Sequence, residues 1–405
     1  MVQFVAFGML SRILQSFTVK PVNGTCYKVP VGTLAFCNWS KMQRTRREML
    51  RAHTFPRAFT NKFVALEDLI SSETEKLLVK LPSYALNQKS LILQTCANIF
   101  IGHFCSKIFS HHDPDFIKMV ENFDEIFYEV NQGYAADFLP FLLPFHYKNF
   151  TKMNSHAHEI RSFIETHIIQ KRYDKFQGKE PEDFVECLAK HVKECEEPKF
   201  DWNTALFALE DIIGGHSAVG NFFVKLLAYL VNEPEVQRKI QMEIDSVTED
   251  GRSFRPVKLS DRSKCPYTEG AIFEAIRLIS SPIVPRVANQ DTTINGFKIK
   301  KDSLIFLNNY DLSMSEELWD NPDRFKPERF VVDNQFMKPE HFLPFGGGRR
   351  SCMGYKMVQF VAFGMLSRIL QSFTVKPVNG TCYKVPVGSL ALSKDTFVFK
   401  FEKRM

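Results

Sequence analysis

One cysteine in this sequence stands where a thiolate that binds a metal is favoured. Cys352 follows the glycine cluster at 346–348 and precedes an amphipathic run at 357–373, whose apolar residues recur at helical spacing. We therefore expect the cysteine at or just before a helix start, where the helix dipole and the nearby Arg349 and Arg350 lower the pKa of a thiol. The glycines leave room for backbone N–H groups to turn towards the sulfur. This stretch is predicted to hold one anionic sulfur ligand.

A lone buried cysteine in a Gly-rich turn is more often a packing residue, but here the pattern is longer. Its fixed positions are Phe345, Gly348, Arg350, Cys352 and Gly354, in the order Phe-x-x-Gly-x-Arg-x-Cys-x-Gly. This pattern resembles the haem-binding loop of the cytochrome P450 family at every fixed position. The resemblance implies haem b as the cofactor, Cys352 as the axial ligand of its iron, and the other four residues as parts of the cofactor-binding loop.

A second segment near the start of the chain carries tryptophan and arginine at helical spacing. Trp39, Gln43 and Arg46 lie at i, i+4 and i+7, so a helix over 37–51 presents them on one face. This looks like the family's C helix, whose Trp and Arg bind a haem propionate. The resemblance assigns that role to Trp39 and Arg46, although the family's usual arginine position holds Gln43 and Arg44 is an alternative substitute.

The same segment is strongly basic, with Lys41, Arg44, Arg47 and Arg51 close together. One interpretation is an ordinary solvated face. The other is a docking surface for an acidic electron donor, because opposite charge speeds encounter. The resemblance implies NADPH as the electron source and, as the partner, a flavoprotein such as NADPH–cytochrome P450 reductase, or an adrenodoxin-like donor.

A long apolar helix is predicted over 203–231. It contains two adjacent glycines, Gly214 and Gly215, which cost helix stability and so indicate a close approach or a kink. The segment matches the family's I helix, which crosses over the haem, and the resemblance places the oxygen-binding groove at Gly215, His216, Ser217 and Ala218. The family's acid–alcohol pair is replaced by Ser217 and Ala218, so either another relay through Ser217, His216 or water operates, or ordinary dioxygen cleavage does not occur. A histidine in this position is more often a polar helix residue than a catalyst.

Two short motifs complete the resemblance. Glu274 and Arg277 are three residues apart on one helical face, ready to pair. With Arg329 they resemble the family's Glu–Arg–Arg network, a buried structural support for the haem loop. Between them, the proline-containing turn at 281–286 delivers Arg286, which in the family faces a propionate.

Composition agrees with a large enzyme. The chain has 405 residues, of which 44% are apolar, enough for a substantial core. A net charge of +6 is mild for this size and makes nucleic acid a poor candidate partner. Nine cysteines are scattered without a CxxC pair, which suits a reducing compartment. No run approaches the roughly eighteen apolar residues of a membrane span, and none has the layout of a signal peptide.

The chain also contains a near-identical internal copy. Residues 1–35 repeat residues 357–391 with one difference, Thr33 for Ser389. The repeated segment carries the helix that follows Cys352 and a tail at 381–390 that is expected to be strand-like. A structural repeat would drift in sequence, so we interpret the copy as a tandem duplication or a mis-joined gene model with no place in the core. The predicted organisation is therefore a non-functional segment at 1–36 and a partial cytochrome P450 domain at 37–405 that lacks the family's usual N-terminal part.

Together these motifs predict a mainly helical fold with a small β-sheet region, in the α+β class. The resemblance implies a monooxygenase that oxidises an apolar, sterol-like substrate. Within the family, the sequence of 210–221 together with that of the segment resembling the C helix is most similar to insect enzymes of moulting-hormone synthesis. Family members are usually fixed to the endoplasmic reticulum. Without an anchor, this chain is expected there, or in the cytoplasm, with peripheral membrane contact through its aromatic stretch at 134–145. Two alternatives remain open: an isomerase or dehydratase without oxygen transfer, and a truncated inactive chain.

Overall fold

The computed structural model describes most of the chain from Ser40 onwards. The described residues are 40–58, 60–83, 88–132, 140–173, 180–194, 201–250, 253–281, 286–378, 380, 382–393 and 396–404. The N-terminal copy at 1–36 and Trp39 lie outside these residues. The predictions made for them therefore stay predictions.

Helices make up most of the described chain, which confirms the predicted fold class. The 3-10 turns are Leu81–Ser83, Pro140–His146, Leu259–Lys264, Pro327–Phe330 and Gly348–Arg350, and Ile164–Ile169 forms a π-helical turn. The α-helices are α1 Lys41–Thr54, α2 Asn61–Lys80, α3 Gln88–Cys105, α4 Pro114–Gln132, α5 Tyr147–Phe163, α6 Gln170–Tyr173, α7 Phe184–Glu194, α8 Trp202–Asn232, α9 Pro234–Thr248, α10 Pro266–Ile279, α11 Asn309–Met314 and α12 Tyr355–Ser372.

The strands are short and pair in antiparallel twos: β1 with β2, β3 with β6, β4 with β5, β7 with β8, and β9 with β10. The longest pair aligns Phe373 with Lys403 and Phe399 with Pro377. The strands are β1 Glu249–Asp250, β2 Ser253–Phe254, β3 Arg286–Val287, β4 Thr292–Ile294, β5 Phe297–Ile299, β6 Leu304–Ile305, β7 Val331–Val332, β8 Gln335–Phe336, β9 Phe373–Pro377 and β10 Phe399–Lys403.

The core is built around α3 and α8. Helix α3 is buried on all sides for most of its length, as expected for a helix without a polar stripe. Helix α8 packs along it, and α2 and α12 extend the same core. The helix predicted over 203–231 corresponds to α8.

The helices that carry candidate site residues begin at recognisable caps. The Ser40 side chain accepts a hydrogen bond from the Gln43 amide at 3.1 Å, which starts α1. Pro266 occupies the first turn of α10, where its missing N–H costs nothing. These caps fix where Arg46, Glu274 and Arg277 fall along their helices.

One local prediction was wrong. The segment 381–390 was expected to be strand-like, but its described residues form no strand, and β9 lies earlier in the chain. The physical reason is that its backbone bonds to side chains of α8. The Asn232 side chain donates to the Tyr383 carbonyl at 2.7 Å and accepts from the Tyr383 amide at 2.8 Å, while Lys225 donates to the carbonyls of Pro386 and Ser389.

Candidate functional site

The loop that carries the candidate thiolate is closed by its own backbone. The amide of Cys352 donates to the carbonyl of Phe345 at 2.9 Å, and Gly346 donates to Leu343 at 3.0 Å. Gly346 and Gly348 have φ of 70° and 67°, a region that L side chains rarely adopt, so this fold of the loop requires glycine. Cys352 therefore lies three residues before the first residue of α12, as predicted.

The environment of the Cys352 sulfur differs from the prediction in one respect. The side chain is exposed, and its sulfur accepts hydrogen bonds from the amides of Gly354 and Tyr355 rather than from the glycine cluster. Although the residue is accessible to solvent, protein atoms crowd around its thiol, and this desolvation raises the pKa of the thiol, while the two amides and the charge of Arg47 oppose that rise. The expectation of a lowered pKa was wrong because desolvation outweighs the nearby positive charges.

Arginines from three elements meet beside this loop. Arg47 of α1 donates to the Ser351 carbonyl at 2.6 Å, and Arg286 of β3 donates to the Arg350 carbonyl at 2.8 Å. Burial and the charge of Arg350 lower the pKa of both Arg47 and Arg286. Positive charges held this close favour an anionic ligand.

The inner face of α1 carries the residues that the sequence placed there. Gln43 and Arg46 are both buried, in agreement with their predicted common face. The basic surface expected on this helix is smaller than predicted, because Arg47 turns inward to the cysteine loop. Arg44 stays on the outside, where it pairs with Glu48 at 2.8 Å.

Glu274, Arg277 and Arg329 are brought together in the core. Arg277 donates to both oxygens of Glu274, at 2.8 and 2.7 Å, and Arg329 donates to Glu274 at 3.2 Å. The side chains of Glu274 and Arg277 are 0% exposed, and Arg277 also donates to the Ser313 carbonyl at 2.7 Å. Because every charge is met by partners, the cluster fastens α10 to the segment around Arg329.

The paired glycines of α8 allow two phenylalanines to approach the helix backbone. A Cβ at Gly214 would lie 2.9 Å from the Phe123 ring, and one at Gly215 would lie 2.9 Å from the Phe100 ring. Close approach, rather than a kink, therefore explains these glycines. Gly214, Gly215 and Ala218 are half-exposed and share one face of α8.

His216 and Ser217 lie on the opposite, buried side of α8. The Nδ1–H of His216 donates to the Ile213 carbonyl at 2.6 Å, and Ser217 Oγ lies 3.4 Å from His216 Nε2, longer than an ordinary hydrogen bond from a hydroxyl. Burial lowers the pKa of His216 to about 4. The imidazole is therefore neutral near pH 7 and packs edge-on against Phe123, with ring centroids 5.3 Å apart.

Comparison with known proteins decides the family. The family model for cytochrome P450 matches residues 14–401. The chain belongs to the cytochrome P450 family. Its relatives include cytochrome P450 307a1 of Drosophila melanogaster, which is 37% identical over 394 residues, covering 90% of this chain and 72% of the relative.

Two further cytochromes P450 are more distant. Cytochrome P450 1A1 of Macaca mulatta is 32% identical over 339 residues, covering 77% of this chain and 64% of the relative. Cytochrome P450 1A2 of Homo sapiens is 31% identical over 335 residues, covering 77% and 63%. The chain thus spans less than two thirds of the length of these two relatives.

The donor set of this cytochrome P450 chain fits the family's cofactor, haem b. The exposed Cys352 sulfur with two amide donors suits an iron ligand, and the arginines suit the two propionate carboxylates. Sequence reasoning counted Arg47 only as a member of a basic surface. Its position next to the predicted Arg46 was a signal, but the inward direction of its side chain is a result of folding.

Among the described helices, none is both long enough and apolar enough to cross a bilayer.

Proposed function

We propose that this chain is a haem-thiolate monooxygenase that oxidises a sterol or ecdysteroid precursor. Haem b, when bound, supplies the iron at which dioxygen is reduced with electrons that NADPH provides through a reductase. The observation that carries the proposal is the exposed Cys352 thiol, held by the amides of Gly354 and Tyr355 beside the Arg47, Arg286 and Arg350 guanidiniums.

The residues of this chain have distinct roles in that proposal. Cys352 would bind the haem iron through its sulfur, and the positive φ of Gly348 lets the cysteine loop close on its own backbone. Arg47 and Arg286 would hold the propionates, with Trp39 and Arg46 as further contributors that the sequence predicts. The cluster of Glu274, Arg277 and Arg329 has a structural role, because its charges are paired with one another.

The sterol assignment rests on similarity rather than on geometry. The sequence of 210–221, together with that of the segment resembling the C helix, resembles the insect Halloween-type enzymes called Spook and Spookier. The Drosophila relative is 37% identical. The half-exposed face formed by Gly214, Gly215 and Ala218 is apolar, which suits a flat hydrocarbon ring system. The redox partner is proposed to approach from the side of α1, where Arg44 and Arg51 are exposed.

Carbon monoxide difference spectroscopy tests the haem-thiolate assignment. The reduced, haem-loaded protein is expected to show the strongly red-shifted Soret band of a thiolate complex. Cys352→Ser is expected to abolish that band, whereas Cys382→Ser, which alters another exposed cysteine, is expected to retain it. A wild-type protein without the band would favour the inactive-chain alternative. An unchanged band in Cys352→Ser would refute the assignment.

A second function is favoured by one observation. Position 218 on the half-exposed face of α8 is alanine, and Ser217 beside it is buried near His216, so neither offers a ready proton donor on that face. A haem-thiolate isomerase or dehydratase needs no oxygen transfer. Turnover under heavy dioxygen separates the two, because a monooxygenase places one labelled oxygen in its product and an isomerase places none.

A further inference from the structure

A closed ring of buried polar groups joins four segments next to the half-exposed face of α8. It consists of Lys89 on α3, Asp124 on α4, Asn221 on α8 and the backbone of Leu392. All four residues are at most 5% exposed. None of them is among the cytochrome P450 site residues described above.

Each link in the ring is a direct hydrogen bond. Asn221 donates to Asp124 Oδ1 at 2.8 Å, and Lys89 donates to Asp124 Oδ2 at 2.6 Å. The backbone of Leu392 closes the ring, since its amide donates to Asn221 Oδ1 at 3.0 Å and its carbonyl accepts from Lys89 at 2.6 Å. A satisfied network of this kind specifies one arrangement of the segments it joins.

The ring also reaches the helix turn that carries the half-exposed face. The second N–H of the Asn221 side chain donates to the Ser217 carbonyl at 2.8 Å. The Asn221 side chain thus donates one hydrogen bond within α8 and one to α4, and it accepts one from the C-terminal segment. Movement of Asn221 would shift the turn between Ser217 and Asn221.

Asp124 works together with its neighbour Phe123 on α4. Phe123 packs over Gly214, and Asp124 binds Asn221, seven residues further along α8. Two contacts two turns apart fix both the position and the direction of α4 on α8. The Phe123 ring, half-buried at the side of Gly214, is held in place by the same arrangement.

We propose that the ring formed by Lys89, Asp124, Asn221 and Leu392 is a positioning device for the reaction, with Asn221 as its joint. It fixes the face of Gly214, Gly215 and Ala218, and the Phe123 ring beside it, so that a bulky ligand meets a preformed wall. A buried ion pair by itself is weak evidence for stability, whereas fixing one arrangement is its better attested use. This role rests on the proposed haem-thiolate function and adds to it a positioning residue, Asn221.

The chain offers a matched pair of variants. Asn221→Leu removes the joint and leaves the Lys89–Asp124 pair intact. Asn232→Leu removes the same residue type from the same helix, where it also binds the C-terminal backbone, but at Tyr383 and away from the ring. Should Asn221→Leu fail to fold, Lys89→Met combined with Asp124→Leu removes both charges of the ring together.

Amide hydrogen exchange of the haem-loaded protein gives the first measurement. Asn221→Leu is expected to accelerate exchange at the Leu392 amide about fivefold and to leave the Tyr383 amide unchanged, since one lost hydrogen bond is worth about 1 kcal/mol. Asn232→Leu is expected to do the reverse. Unchanged exchange at Leu392 in Asn221→Leu would show that the ring does not hold this segment, which overturns the proposal.

Azole binding gives the second measurement, with imidazole as the small probe and 4-phenylimidazole as the bulky one. Asn221→Leu is expected to raise the dissociation constant of 4-phenylimidazole about tenfold and that of imidazole less than about twofold, because only the bulky probe needs the fixed wall. Asn232→Leu is expected to change neither. Equal changes for both probes, or none, would reduce the ring to a merely structural role and overturn the proposal.

The two proposals fail in different ways. A wild-type protein that binds neither azole contradicts the proposed haem-thiolate function. In that case there is no haem reaction for the ring to serve, and the positioning proposal fails as well. The hydrogen-exchange pattern would then show only that the ring holds the structure together. A wild-type protein that binds both azoles but no sterol contradicts the substrate class alone and leaves the ring proposal standing.

Discussion

At the scale of single residues, charge and burial decide what each candidate can do. Cys352 shows the balance most clearly, because desolvation raises the pKa of its thiol despite two amide donors and a nearby arginine. An iron ion supplies what the protein environment alone does not, since metal binding stabilises the deprotonated thiolate. The loop is therefore better described as shaped for a metal–sulfur bond than as one that creates a free thiolate.

The buried carboxylate Glu274 gives a prediction at this scale. Glu274→Gln leaves Arg277 and Arg329 without their counter-charge, and the expected loss in the free energy of unfolding is about 3–5 kcal/mol. Glu235→Gln, which breaks the exposed pair with Arg238, is expected to cost less than about 1 kcal/mol. Urea unfolding measures both. Equal losses would contradict the structural role assigned to the cluster.

Lys225 gives a prediction for pH. Burial lowers its pKa to about 7, whereas the unfolded chain has a lysine pKa of about 10.4. Between these values the unfolded chain binds the proton and the folded chain does not, so stability attributable to Lys225 rises as the pH is raised from about 7 to about 10.

Comparison with Lys225→Met isolates this effect. Relative to that variant, the wild-type free energy of unfolding is expected to rise with pH by up to about 1.4 kcal/mol per unit across the window. Lys298→Met, at an exposed position of β5, is expected to run parallel to the wild type. Parallel curves for Lys225→Met as well would contradict the lowered pKa.

At the scale of elements, α8 carries one face of the site, and side chains of the neighbouring helices pack directly against its backbone at two glycines. The adjacent Gly214 and Gly215 meet different surroundings, since Phe123 is half-buried and Phe100 is only 4% exposed. The Phe123 ring, although its residue is anchored through Asp124, can therefore yield slightly to an added methyl group, and the Phe100 ring cannot.

We therefore expect alanine substitutions at the two glycines to have opposite effects on stability. Gly215→Ala is expected to destabilise the protein, because overpacking costs about 1–3 kcal/mol and offsets the gain in helix propensity of about 1 kcal/mol. Gly214→Ala is expected to be neutral or stabilising by up to about 1 kcal/mol. Urea midpoints of the two variants check this. The reverse order would show that Phe100, not Phe123, is the ring that yields.

At the scale of the whole molecule, the helix and the strand encoded by the duplicated sequence are already present once, in the original segment at 357–391. Helix α12 lies in the core and β9 pairs with β10, so the original of the copy fills its place. A chain lacking residues 1–36 is therefore expected to keep the urea midpoint of the full chain within error. A clear fall in the midpoint would assign a structural role to the copy.

Sequencing the transcript across the junction tests the origin of the copy separately. A single continuous message through 32–39 would exclude a mis-joined gene model and leave tandem duplication as the explanation. The unfolding experiment and the transcript thus address different halves of the same hypothesis.

The sequence by itself determined the family, the cysteine loop, the long helices and the Glu274–Arg277–Arg329 cluster, because each depends on residue types at short fixed spacing. The tertiary structure alone decided what depends on distant segments meeting. It turned Arg47 inward, gave the Cys352 thiol a raised pKa, placed His216 and Ser217 on the packed side of α8, and closed the Lys89–Asp124–Asn221–Leu392 ring across some 300 residues of chain. The spacing of residues along the chain does not predict desolvation or the distant backbone group to which a side chain will bond, since both arise only when the core forms.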